Sequence, residues 1–188
     1  MVSAIRVSAV LVFGIGYVYG DLDLTPRLQE YDLEGVKLHQ LAFTDGQTLI
    51  TYAPPKNWEY FGGGNRLVLR PRSEAGAEAE ISVTGIRHQA DFDESEVKQL
   101  TADVVASLPH EATNITIVSQ QLNPLLIGRK KTFLVIVSYD YYSQSYERSV
   151  MFLDRNSEQI KFQLTCYRSA FQKLQRAFEG SHYSWQNL

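Results

Sequence analysis

The stretch Thr132–Tyr142 is apolar on both of its faces. Phe133, Val135 and Val137 fall on one side, and Leu134 and Ile136 on the other. Val150, Met151, Phe152 and Leu153 repeat the pattern about one hairpin later. A strand apolar on both sides belongs inside a sheet that is covered on both sides. A chain containing two such strands therefore needs two covering layers, and helices are the available material.

Two helices are legible. Asp93 and Glu96 stand at N-cap and N3 of a capping box, with Phe92 and Val97 placed as a hydrophobic staple. Val97, Leu100, Val104 and Leu108 form the stripe of a helix over 94–108 that Pro109 stops. A final helix from about Ser169 turns Phe171, Leu174 and Phe178 inward and ends at Gly180 as C′. Helices do not alternate with strands, so the expectation is α+β: an α/β/α sandwich around a mainly antiparallel sheet of about seven strands, with two main helices.

The strands have local signatures. Val36–Phe43 and Thr48–Ala53 flank Asp45-Gly46, a hairpin signal that Pro54-Pro55 closes. Gly62-Gly63-Gly64-Asn65 reads as a mobile turn into Arg66–Arg72, and Ala79, Ile81 and Val83 mark the inner face of Ala77–Ile86. Ile115–Leu122 is a further strand. Ile160, Phe162, Leu164 and Cys166 alternate with polar residues, so Cys166, the one cysteine, is read as a packed thiol. With a single cysteine there is no internal disulfide, and packing must hold the fold.

Met1 to Gly20 has one charge, Arg6, an apolar run from Val7 to Tyr19, and small residues at Val18 and Gly20. This is the pattern of a secretory signal peptide cleaved after Gly20, too short for a stable membrane span. The expected organisation is a signal over 1–20, a polar lead-in or tether over 21–35, and one domain over 36–188. Removing the signal takes Arg6 and no acid, so the formal net charge of −3 becomes −4. That balance, with only Arg129-Lys130-Lys131 as a basic cluster, excludes general nucleic-acid binding. The cluster itself reads as a solvated loop.

Tyr52-Ala-Pro-Pro-Lys-Asn-Trp58 resembles the proline-then-tryptophan entry of PsbP-like proteins. The order from Lys131 through Asp154, Gln159–Cys166 and the last helix into Ser181-His-Tyr-Ser-Trp185 is similar to their C-terminal half. The resemblance implies a binding or assembly module, not an enzyme, and it carries no ligand residues over.

No residue set with catalytic spacing is present: the glycine run leads into a strand instead of opening a helix, and G-x-S-x-G does not occur. No cofactor or metal ligand set is assigned. His88, Asp91, Asp93, Glu94 and Glu96 lie close in sequence but lack a zinc spacing, and the acids suit a helix N-terminus. The expected function is an exported, non-catalytic module that contacts an envelope protein partner. The alternative is a small-ligand or metal-binding receptor, or a hydrolase, using the 88–96 loop or the arginines Arg66, Arg70 and Arg72. The candidate partner-binding residues are Tyr142, Tyr146 and Arg148, beside Tyr139 and Tyr141. A three-residue loop Ser143-Gln144-Ser145 would pair Tyr142 with Tyr146 and Asp140 with Arg148, bringing opposite charges together. That register places Tyr142, Tyr146 and Arg148 on one face and Tyr139 and Tyr141 on the other.

Overall fold

The computed structural model describes residues 22–86, 92–155 and 158–187. The signal segment with its cleavage point, and His88 with Asp91, lie outside the described residues. In chain order the elements are β1 (Leu22–Leu33), β2 (Val36–Asp45), β3 (Thr48–Tyr52), β4 (Trp58–Gly63), β5 (Arg66–Pro71), β6 (Glu78–Gly85), α1 (Glu94–Ala106) and β7 (Thr113–Leu122). They continue with β8 (Thr132–Tyr141), β9 (Gln144–Arg155), β10 (Glu158–Tyr167), α2 (Arg168–His182) and β11 (Gln186–Asn187).

Seven strands make an antiparallel sheet in the order β4-β5-β6-β10-β9-β8-β7. The doubly apolar strands β8 and β9 sit within it, as their patterns require. On one face Phe133, Val135, Val137, Val150 and Phe152 pack with Val104 and Leu108 of the α1 region and with Phe92. On the other, Leu134, Met151, Ile160, Phe162, Leu164 and Cys166 pack with Phe171, Leu174 and Phe178 of α2. The two helices thus cover opposite faces of the central sheet, as an α/β/α sandwich requires.

α1 starts as its sequence dictates. The Glu96 amide donates to Asp93 Oδ1 at 2.9 Å, and Glu96 Oε2 accepts from the Asp93 amide at 3.4 Å. α2 runs past Gly180 to a cap at Tyr183, so the expected C′ glycine is inside the helix. The added turn is held because Ser181 and His182 are both buried. Ser181 Oγ lies 2.8 Å from the Tyr52 hydroxyl.

A second sheet, β1-β2-β3-β11, was not expected. Leu41, Phe43, Ile50 and Tyr52 from its inner side join the α2 side of the core. The polar lead-in anticipated over 21–35 is instead β1, paired with β2 from Leu22↔Asp45 to Leu33↔Val36. Among the described side chains of β1, Leu22 and Leu24 turn into the core, while Leu28 on the open hairpin is 65% exposed, which suits a polar sequence. Pro26 falls where the ladder shifts register, so its missing amide breaks no pairing. The glycine run is strand as well as turn. Gly62 and Gly63 belong to β4, and a Cβ on Gly62, whose φ is +146°, would stand 2.3 Å from the Arg66 carbonyl oxygen.

Candidate functional site

The β8–β9 hairpin closes on two residues, Tyr142 and Ser143, with φ of 47° and 62°. Tyr141 pairs with Gln144 and Tyr139 with Tyr146, so the three-residue loop and its register are corrected. Two central residues with positive φ give a turn whose twist matches that of the strands. Asp140 takes Ser145 and not Arg148 as its partner: Ser145 Oγ donates at 2.6 Å and Asn114 Nδ2 at 2.8 Å. These hydrogen bonds hold the Asp140 carboxyl below its usual range.

The corrected register moves the faces as well. Tyr139, Tyr141, Tyr146 and Arg148 share the face that carries α1, and Tyr142 stands in the turn, 75% exposed. Tyr146 stacks on Tyr139 at 5.6 Å between ring centroids and meets Tyr141 at 6.2 Å. Tyr142 leans on Tyr141 at 4.4 Å. Tyr167, at the end of β10, lies 4.8 Å from Tyr146 and completes the group. The sequence reading missed it. Its signal is the Tyr146↔Tyr167 pairing, which local pattern does not contain.

Arg148 is occupied. Its Nε donates to Thr165 Oγ1 at 3.0 Å, and its Nη1 donates to the Ser107 carbonyl at 3.0 Å. The guanidinium carbon also stands 6.0 Å from the Tyr139 ring centroid. The Tyr146 hydroxyl is pushed up to about 12, by its hydrogen bond with Tyr167 first and by desolvation second. Burial raises Tyr139 too, and desolvation raises Tyr141. Tyr139, Tyr141 and Tyr146 are therefore neutral phenols at ordinary pH, a surface suited to packing and hydrogen bonding.

No protein-family model matches the sequence, and no curated protein matches it. Among solved structures, cyanobacterial PsbP from Synechocystis sp. PCC 6803 superposes with a TM-score of 0.52 at 13% identity, covering 93% of this chain and 96% of that one. The fold is PsbP-like. A Pseudomonas aeruginosa protein of unknown function covers 81% of this chain and 92% of its own at 11% identity, with a TM-score of 0.43.

Within this PsbP-like fold the Tyr52–Trp58 segment leads Trp58 onto Phe178, with ring centroids 6.0 Å apart and planes 10° apart. The other sequence candidates have structural occupations. Arg66 pairs with Glu80 at 2.7 Å, Arg70 with Glu78 at 2.7 Å, and Arg72 with Glu59 at 3.0 Å. These arginines form a cross-strand ladder on the outer sheet face; Arg70 and Arg72 border a cleft of about 440 Å³, where each is already paired with an acid. Asp93 and Glu96 serve the helix cap. Among the described residues, no cluster of three histidine, cysteine or acidic residues could hold a metal ion, and no helix is long and apolar enough to cross a membrane.

Proposed function

We propose that this chain is an exported, non-catalytic PsbP-like module that docks an envelope protein partner through the β8–β9 tip. The observation that carries this reading is Tyr142. It is a large aromatic side chain presented at the end of a hairpin whose base is braced by four mutually packed tyrosines, Tyr139, Tyr141, Tyr146 and Tyr167. Rigid tyrosines supply contact area at low entropic cost and are enriched among residues that dominate interfaces. In this reading Tyr142 is the anchor, Tyr146 supports it through Tyr141, and Arg148 holds the hairpin against α1. Export rests on the Met1–Gly20 pattern. Mass spectrometry of the secreted or periplasmic fraction should find a chain that begins at Asp21, whereas recovery of Met1 from membranes would replace export by anchoring.

The docking reading is tested by pull-down from the host's envelope fraction. Tyr142→Ala should abolish capture of the specific partner while thermal stability moves little, because the side chain is exposed. Undiminished capture by Tyr142→Ala would discard the tip as the site.

A further inference from the structure

Strand β7 stands at the end of the seven-stranded sheet: it pairs with β8, and among the described residues no strand lies beyond it. It is ten residues long and holds neither a charged residue nor a proline. Along it Ile115, Ile117, Val118 and Leu122 are 42, 48, 51 and 58% exposed. An edge strand offers a row of unpaired amides and carbonyls, which proteins guard with charges, proline, bulges or a covering segment. Of these devices β7 has bulges alone, and both of its register shifts lie before Ser119.

The other edges are guarded. At the β4 end, β1 crosses over: the Leu24 amide donates to the Gly64 carbonyl at 2.6 Å, and the Gly64 amide donates to Asp23 Oδ1 and Thr25 Oγ1, each at 3.1 Å. In the second sheet the edge strand β1 carries Asp23, Pro26, Arg27, Glu30 and Asp32, and the opposite edge, β11, is two residues long. Apolar surface also continues from β7 onto α1. A groove of about 620 Å³ runs between them, with Val97, Ala102 and Val105 on the helix and Ile117 on the strand.

The ends of β7 define what fits along it. Glu111 precedes the strand, and Thr113 pairs beside Asp140; the turn that follows the strand holds Arg129 and Lys130. One end is acidic, the other basic, and the strand between them is neutral. A second β7 laid antiparallel puts acid beside base at both ends, whereas a parallel one would put base beside base. That is the self-complementarity a two-fold interface requires.

We propose that β7 is the dimerisation edge of this protein. A second copy of the chain adds its own β7 antiparallel, about a two-fold axis near Ser119, and the two seven-stranded sheets become one. Centring there pairs Thr116 of each copy with Leu122 of the other. It carries Glu111 of each copy past the other's Leu122, toward its Arg129–Lys130 turn. Main-chain hydrogen bonds supply the affinity, and the exposed aliphatic side chains of the strand leave water. This interface goes beyond the tyrosine tip and is independent of it.

Analytical ultracentrifugation of the purified full chain between about 1 μM and 0.1 mM tests this. The chain should sediment with twice its monomer mass. Val118→Lys with Leu122→Lys sets four lysines along the joint and should weaken association about tenfold or more. Both side chains are exposed, so far-UV circular dichroism should remain that of the folded chain. Cross-linking with a short bismaleimide, which the buried Cys166 resists, reads the geometry. Ser119→Cys should link to its own copy, and Thr116→Cys mixed with Leu122→Cys should link as well. Thr113→Cys alone should not, because its two sites lie roughly 40 Å apart across the axis. Tyr142→Ala should leave the dimer unchanged, which separates this interface from the docking reading. A monomer throughout the concentration range would overturn the proposal. So would a dimer that survives the two lysines, or self-linking of Thr113→Cys as efficient as that of Ser119→Cys.

Discussion

Arg148 Nη1 donates to the main-chain oxygen of Ser107 across 3.0 Å, and to the same residue's hydroxyl at 3.1 Å. Ser107 is the C-cap of α1, where carbonyls lack helical partners and where a cation is favourably placed. Because the same guanidinium binds Thr165 of β10, one side chain of β9 ties the end of a covering helix to two strands of the sheet. Its part in the proposed docking site is to position the hairpin.

Replacing this side chain should therefore cost stability before it costs binding. Arg148→Met keeps the aliphatic stem and removes the donors. Urea unfolding should show a loss of about 1–2 kcal/mol, the scale of a half-exposed charged hydrogen bond. Full stability in the variant would mean that the contacts to Ser107 and Thr165 contribute nothing.

The hairpin turn carries strain that a better sequence would relieve. Tyr142 and Ser143 both hold positive φ, a conformation suited to Asn-Gly. Tyr142→Asn with Ser143→Gly should raise the unfolding free energy measured in urea by about 1 kcal/mol. The same double variant removes the exposed ring, so it should be more stable and yet fail to capture the partner.

His182 makes the fold acid-sensitive. Its folded pKa is about 3, lowered by burial, while the unfolded value is near 6.5. Above pH 6.5 neither state binds a proton at this group, and the full stability is present. Between pH 6.5 and 3 the unfolded chain takes up a proton that the folded chain refuses, so stability falls with falling pH by at most about 1.4 kcal/mol per unit. Thermal melts from pH 7 to 4.5 should show a decline that His182→Phe flattens. Identical pH profiles for the two proteins would mean that His182 is protonated in the folded state.

Cys166 should behave as packed core. It is fully buried, and its thiol is pushed up to about 12, by desolvation first and by Glu147 and Glu74 second. A thiol reagent should label it slowly in the native protein and quickly in urea. Cys166→Ser should destabilise by about 1–3 kcal/mol, the cost of a buried hydroxyl without a partner.

What was legible in the sequence was local. The capping box of Asp93 and Glu96 spans three residues, and alternation in β8, β9 and β10 records which side of each residue is buried. The β8–β9 register was not legible. Asp140 and Arg148 look like partners along the chain, but each found a better one on another element, Asn114 of β7 and Ser107 after α1. Strand β1 was missed for a similar reason. Its outer length lies on an exposed hairpin and has no apolar period to betray it.

The sequence by itself determined that this chain builds a sheet covered on both faces, with one helix for each face and the cysteine inside. Periodicity reports burial, and burial of β8 and β9 on both sides admits few other architectures. Tertiary structure alone decided which residues share a site. Leu22 reaches Glu158 across 136 positions, with the amide 3.1 Å from the carboxylate, and Tyr167 meets Tyr146 only because β10 lies against β9. His182, Arg155 and Lys130 come together because three separate segments end at one corner of the sandwich. A residue's pattern states how it is buried; the partner it meets depends on how strands are ordered, and no periodicity within one strand encodes that order.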